Sequence, residues 1–222
     1  KEKRHAIPVV LVYSLLNKAY ILDIGEGSSV VGGLTERGYD VYLLDWGSPG
    51  LEDSDITLDQ YIIDYVENGI KRALRHSSAK EISLAGYCLG GTIAAILASI
   101  TELPIRNLSL AAVPIDFSIG VLPDKLLEGL QKGEISVDGF ADAHETIPSE
   151  ILYLMFRMLS PGDGSTKINL YTRANDENYV EKWRRMDKWT KDTSSFAGAA
   201  FKQMFSDLYQ NNKLFKGELV IG

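Results

Sequence analysis

The sequence has little of what commits a chain to a narrow class. Its 222 residues hold one cysteine, Cys88, which excludes an internal disulfide and suits a reducing compartment. Three histidines without ligand spacing, and no glycine-rich nucleotide motif, lead us to expect no bound metal and no redox cofactor. Basic residues are outnumbered, 23 Lys and Arg against 30 Asp and Glu, a net charge of -7 that argues against a nucleic-acid surface. No apolar run approaches the ~20 residues of a membrane-spanning helix; Leu89 to Ile100 falls well short. The opening Lys1-Glu2-Lys3-Arg4 with apolar Ile7 to Leu16 imitates a signal peptide. Asn17-Lys18 interrupts it, however, and neither an initiator Met nor a small-residue cleavage site is present. There is no repeat or low-complexity tract, and the 45% hydrophobic content supports one sizeable core and one domain.

The most informative stretch runs from Glu81 to Ile100, EISLAGYCLGGTIAAILASI. Ile82, Leu84 and Ala85 predict a short buried strand, and the small and aliphatic residues from Gly90 onward predict a helix packed closely on it. Between them, Gly86-Tyr87-Cys88-Leu89-Gly90 matches the G-x-nucleophile-x-G elbow of α/β-hydrolases, a strained turn that raises one reactive side chain above the sheet edge. A thiol there sits at a helix N-terminus, where backbone N–H groups and the dipole favour thiolate, and the Leu89 amide faces a developing oxyanion. The plainer alternative is that Cys88 is a small buried apolar residue. The strand-turn-helix setting favours the nucleophile.

The rest of the chain predicts a parallel, doubly wound α/β sheet. Ile7 to Tyr13 is a continuous β-branched run, the mark of a strand buried on both faces. In the loop that follows, Leu16, or failing it Leu15, is the candidate for a second oxyanion N–H, with core plugging as the alternative. Ser28 to Arg37 reads as a helix stopped by Gly38, and Tyr39 to Leu44 as a second buried strand. Thr57-Leu58-Asp59-Gln60 has capping-box spacing and opens an amphipathic helix to about His76. Asn107 to Val113 supplies a further strand ending at Pro114-Ile115-Asp116-Phe117. From Ser118 the alternation stops: Leu122 to Leu130, Ser149 to Leu159 and Tyr179 to Trp189 look helical, with a break at Ser160 to Gly164. We expect residues 1–117 to form a partial α/β-hydrolase core, 118–216 a mostly helical cap over the active site, and 217–222 the start of another core strand.

A nucleophilic cysteine needs a base, and that base needs an acid, in the chain order nucleophile, acid, histidine. His5 and His76 precede Cys88, and His144 lies in a polar cap segment, where a solvated surface role fits it better. Asp116 follows a strand and is either a triad acid or a turn and cap anchor. The expected reading is that the triad Asp and His are not in this chain, which looks like an excerpt of a longer one, cut at both ends and poorly soluble unless another segment covers its apolar sheet edges.

Together these motifs resemble the poly(3-hydroxyalkanoate) synthases, most of all the two-subunit Bacillus type (class IV, close to class III). The matching pieces are Leu16 to Asp23, Leu44-Asp45-Trp46-Gly47, Thr57 to Ile62, Gly86 to Gly91, Pro114 to Phe117, and Trp183 to Trp189 in the cap. The resemblance implies that Cys88 attacks the thioester of a short-chain (R)-3-hydroxyacyl-CoA, such as 3-hydroxybutyryl-CoA. It would release CoA and carry the growing polyester as a thioester. Coenzyme A then enters as part of the substrate and leaves as product, with no cofactor of the protein's own. Also implied are a small second subunit, an oligomer, and work in the cytoplasm at the surface of polyester granules. The family's activating histidine and its aspartate have no matching positions here. The apolar cap stripe Leu152, Met155, Phe156 and Leu159 reads as cap core or as a surface for partner or polymer. Lys182, Arg184, Arg185, Lys188 and Lys191 read as a solvated helix face rather than a CoA phosphate site. The enzyme alternative is a cysteine hydrolase of dienelactone-hydrolase or thioesterase type, and the non-enzyme alternative is a scaffold that keeps the elbow without a triad.

Overall fold

The computed structural model describes residues 3–119, 122–159 and 163–222. Four parallel strands form the main sheet in the order β2-β1-β3-β4. β1 (Val9–Val12, VVLV) is buried along its whole length, as its unbroken aliphatic run requires of a strand covered on both faces. α1 (Val30–Glu36) starts at Ser29, whose hydroxyl accepts from the Gly32 N–H at 2.6 Å, and leads to β2 (Val41–Leu43). β2 is shorter than the expected Tyr39 to Leu44 strand and only half-buried, because it pairs on one side alone, with β1. α2 (Leu58–Gln60) opens with the expected capping box: Gln60 N–H donates to Thr57 Oγ1 at 3.2 Å and Thr57 N–H to Gln60 Oε1 at 2.9 Å. It runs through a π-helical stretch, Tyr61–Val66, into α3 (Glu67–Ser77), placing Leu58, Ile62, Val66 and Ile70 in the core.

β3 (Ile82–Tyr87) lies between β1 and β4 and feeds α4 (Leu89–Ile100), whose small residues let it lie against the strand. β4 (Ile105–Ala111) ends the sheet. Its outer edge is open, leaving Leu108 and Leu110 at 40% and 44% exposure.

Beyond β4 come α5 (Asp124–Gln131), α6 (Val137–Asp142), β5 (Thr146–Ile147), α7 (Ser149–Leu159), α8 (Asp163–Thr172), α9 (Glu177–Lys191), β6 (Phe196–Ala197), α10 (Gly198–Met204) with a π-helical turn (Phe205–Gln210), and α11 (Lys213–Lys216). The three expected cap helices are among them. The antiparallel β5–β6 pair was not expected, since two-residue strands leave no periodicity to detect. Residues of this segment, Ile147, Phe196, Phe201 and Met204 among them, join the same buried cluster as the sheet. Hydrogen bonds fasten it to the loop after β2: Thr146 Oγ1 to Gly50 O, Ser195 Oγ to Pro49 O and Ala199 N–H to Ser54 O. Gln203 adds a bridge by accepting from Leu58 N–H at 2.9 Å and donating to Asp59 at 2.6 Å.

Two expectations change. Residues 217–222, expected to start a strand, form no ladder among the described residues, and Gly222 N–H donates to Asp59 Oδ2 at 3.2 Å beside α2. In the cap stripe, Leu152 is buried and Met155 packs on the core; the side chains of Phe156 and Leu159, and the break at 160–162, lie outside the described residues.

Candidate active site

Cys88 occupies the turn between β3 and α4 with φ 55° and ψ -134°, a conformation that non-glycine residues rarely adopt. Hydrogen bonds hold it there. Its N–H donates to Ala111 O at 3.0 Å on β4, and its carbonyl accepts from Gly91 N–H at 2.8 Å and Thr92 N–H at 3.2 Å in the first turn of α4. The flanking glycines are required by close approach. A Cβ on Gly86 would fall 2.3 Å from the Cα of Gly91, and one on Gly90 would fall 2.2 Å from the carbonyl oxygen of Tyr13. The elbow thus forms only where strand, helix and β1 touch through bare backbone.

The electrostatics depart from the sequence reading in one respect. Burial raises the Cys88 thiol, and the Leu89 N–H lowers it by less. Desolvation therefore outweighs the helix N-terminus, and the resting group is a neutral thiol rather than the expected thiolate.

On the β1 flank, Leu15 is buried and Leu16 half-buried, and neither N–H donates a backbone hydrogen bond among the described residues. Leu15, Leu89, Ile93, Met204 and Leu208 line a small apolar cavity of about 10 Å³ beside the elbow. Leu89 and Leu15, though not Leu16, thus border one cavity. Tyr13 ties this flank together. Its hydroxyl donates to Asp45 Oδ1 at 3.4 Å and accepts from Trp46 N–H at 3.4 Å, while its carbonyl accepts from Trp46 Nε1 at 3.1 Å. Burial drives the Tyr13 phenol far above its ordinary range.

The histidines are engaged elsewhere. His5 stacks on Tyr39 with centroids 3.8 Å apart, His76 Nδ1 meets the Tyr42 hydroxyl at 2.9 Å, and His144 Nδ1 lies 3.0 Å from Phe140 O on its own helix. Asp116 is held as a turn anchor. It accepts from Ser118 Oγ at 2.6 Å, Ser118 N–H at 2.9 Å and Asn212 Nδ2 at 2.8 Å. These bonds, those from Ser118 foremost, keep its carboxyl below the usual range. On α9, Arg185 pairs with Glu181 and Lys191 with Asp187, while Lys182, Arg184 and Lys188 face solvent. Trp189 turns inward and donates from Nε1 to Lys18 O at 3.1 Å, pinning the helix to the loop after β1. Among the described residues no cluster of three or more His, Cys, Asp or Glu is placed to hold a metal, and no helix is long and apolar enough to cross a membrane.

The sequence reading missed Tyr209 and Asn212. Tyr209 is 6% exposed on the π-helical turn, at the edge of Phe117 and stacked on Phe205, and the Cys88 charge is among the influences raising its phenol, after burial. Asn212, left-handed at φ 49°, accepts from Phe117 N–H at 3.1 Å while donating to Asp116. The one signal in the sequence was Asn211-Asn212, a residue type that tolerates that backbone region.

Residues 7–213 match the α/β hydrolase fold. Among solved structures, the chain is similar to a carboxylesterase structure from the thaumarchaeon Nitrososphaera gargenis, with TM-score 0.50 and 15% identity over 95% of this chain and 66% of that one. At that identity the likeness concerns the fold alone. Among curated proteins it is 35% identical to the poly(3-hydroxyalkanoate) polymerase subunit PhaC of Haloferax mediterranei, over 99% of this chain and 45% of that protein. It is 37% identical to the PhaC of Synechocystis over 97% and 58%, and 34% identical to that of Allochromatium vinosum over 97% and 60%. The chain thus spans about half the length of the curated relatives it matches. With its parallel sheet, its strained cysteine elbow and a match over residues 7–213, the chain belongs to the α/β hydrolase fold family, and the curated relatives named above are poly(3-hydroxyalkanoate) polymerase subunits.

Proposed function

We propose that this chain carries the nucleophile of a poly(3-hydroxyalkanoate) synthase, an acyltransferase that polymerises short-chain (R)-3-hydroxyacyl-CoA. The observation that carries the reading is Cys88 in a strained elbow, within a sequence 34–37% identical over nearly its whole length to polymerase subunits. In the acylation step a base takes the Cys88 proton and the sulfur attacks the thioester carbonyl carbon. The oxyanion of the tetrahedral intermediate rests on the Leu89 N–H and on that of Leu16 or Leu15. The carbon–sulfur bond to CoA then breaks, CoA leaves with the proton, and the acyl group stays on Cys88. The 3-hydroxyl of another 3-hydroxyacyl group next gives its proton to a base and attacks this new thioester; the acyl carbon–sulfur bond breaks, the Cys88 thiolate leaves and takes back a proton, and the new ester bond leaves the polyester one unit longer.

The neutral, half-buried thiol makes the base indispensable. Each of the three imidazoles is engaged elsewhere, with Tyr39, Tyr42 or Phe140, so we assign the base and its acid partner to the whole protein rather than to these histidines. The proposal extends to a small second subunit, an oligomer, and work in the cytoplasm at the surface of polyester granules. The narrower Bacillus-type assignment rests on the sequence motifs.

The test is CoA release from 3-hydroxybutyryl-CoA by the full-length protein with its small subunit, comparing wild type with Cys88→Ala and weighing insoluble polyester. Thiol release with polymer, both lost in Cys88→Ala, is the expected result. Release with only soluble 3-hydroxybutyrate would replace the synthase with a hydrolase, and no release at all would leave a scaffold.

A further inference from the structure

The turn after β1 is gripped at both ends by tryptophan. Leu15 and Leu16 form its middle, and the carbonyl on either side is held by an indole N–H: Trp46 Nε1 donates to Tyr13 O at 3.1 Å, and Trp189 Nε1 to Lys18 O at 3.1 Å. Two of the chain's three tryptophans thus serve one short turn. That turn adjoins the elbow. Gly90 packs bare backbone on the Tyr13 carbonyl, where a Cβ would fall 2.2 Å from the oxygen, and Leu15 lines the same cavity as Leu89, the residue after Cys88.

The two clamps come from different parts of the fold. Trp46 follows β2 and is buried in the core cluster, whereas Trp189 lies in the last turn of α9, in the segment expected to form the cap. Lys18 O also accepts from Ile21 N–H at 3.3 Å, at the start of the short 3₁₀ helix Ala19–Leu22, so holding that oxygen fixes the chain's exit from the turn. A second fastener stands beside it. The Tyr20 hydroxyl donates to Asp192, the C-cap of α9, at 3.0 Å. Between the clamps, the N–H groups of Leu15 and Leu16 go to no backbone acceptor among the described residues, so their direction is set by the held carbonyls rather than by backbone bonds of their own. Donors held in place by such surrounding bonds need no reorganisation when negative charge develops in front of them.

We propose that Trp189 is a positioning residue for acyl transfer at Cys88: by holding Lys18 O it keeps the Leu15 and Leu16 N–H groups aimed at the oxyanion, so that the acylation site is complete only while α9 is docked on this loop. Trp46 alone holds the entry to the turn and leaves its exit free. Release of α9 would therefore loosen the donors without disturbing the elbow, whose own bonds run to Ala111, Gly91 and Thr92. This inference rests on the acyl-transfer reading of Cys88.

Two reactions of the same sulfur separate positioning from packing. Acylation by 3-hydroxybutyryl-CoA passes through an oxyanion, whereas alkylation by iodoacetamide, which expels iodide, forms none. Both are followed on the Cys88 peptide by mass, in the full-length protein with its small subunit, for wild type, Trp189→Phe and Trp183→Phe. Trp189→Phe keeps an aromatic ring but loses the donor. Its acylation should slow about tenfold, the size of one neutral hydrogen bond, with half-saturation and the alkylation rate each within about twofold of wild type. Trp183→Phe, on the same helix but without such a bond, should leave both reactions unchanged. Tyr20→Phe, which removes only the second fastener, should slow acylation about threefold and spare alkylation; it decides the matter if Trp189→Phe does not fold. An equal loss in both reactions, a matching loss in Trp183→Phe, or acylation at the wild-type rate would overturn the inference and leave acyl transfer standing. A wild type that is alkylated but never acylated would overturn both.

Discussion

Replacing Cys88 by glycine should yield a more stable protein than replacing it by alanine, although glycine is ordinarily the weaker choice. At φ 55° and ψ -134° a Cβ is crowded by the adjoining backbone, and such a conformation costs about 1–3 kcal/mol for a residue that is not glycine. Both variants lose the sulfur, so its packing cancels in the comparison. Glycine recovers the strain. It gives back about 0.4–1 kcal/mol through the greater freedom of its unfolded chain, and part of the ~0.8 kcal/mol of one buried carbon. The net advantage of Cys88→Gly over Cys88→Ala is then about 1 kcal/mol, or roughly 2–4 °C in Tm for a chain of this size. Urea unfolding of both variants at matched pH, with thermal melts alongside, measures it. The hydrogen bonds that pin Cys88 from Ala111, Gly91 and Thr92 make the strain a property of the fold rather than of the sulfur. If Cys88→Ala proves as stable as Cys88→Gly or more so, the elbow is not strained and the reasoning from its dihedral angles fails.

Iodoacetamide alkylation of Cys88, followed by mass against pH, should show a midpoint above the ordinary thiol value of about 8.5, because burial raises the folded thiol. The linked stability is fully present below the unfolded thiol's pKa and is lost as pH rises through the folded one. The alkaline decline in urea midpoint should accordingly flatten in Cys88→Ala; a midpoint at or below 8.5 in the alkylation profile would show that the helix N-terminus outweighs desolvation after all. Asn212→Ala strips the buried Phe117 N–H of its acceptor and puts a Cβ residue without a compensating side chain at φ 49°, so it should destabilise by about 1–3 kcal/mol. Near-UV circular dichroism should register the loosened Phe117–Tyr209 contact, and an unchanged melt would remove the clasp from the account.

Much of the fold was legible because its signals are local. The unbroken run from Ile7 to Tyr13 specified a central strand, since only a strand covered on both faces can hide so many consecutive aliphatic side chains. Thr57 and Gln60 marked a helix start through bonds spanning three residues. Gly86, Cys88 and Gly90 announced the elbow because its close approaches involve the backbone of those residues themselves. By contrast, the state of the thiol depended on how much protein covers it, a quantity no five-residue motif contains. The β5–β6 pair joins segments about fifty residues apart through strands too short to show alternation, and residues 217–222, apolar enough for a strand, form no ladder among the described residues and reach Asp59 beside α2. Tyr209 and Asn212 stand more than 120 residues from Cys88 in sequence and carried no motif of their own. Sequence alone determined what backbone spacing and side-chain volume dictate between near neighbours, namely the strands, the caps and the position of the elbow cysteine. Only the tertiary structure decided what surrounds that cysteine, because desolvation and contacts across the sheet are set by which distant surfaces the folded chain presses together.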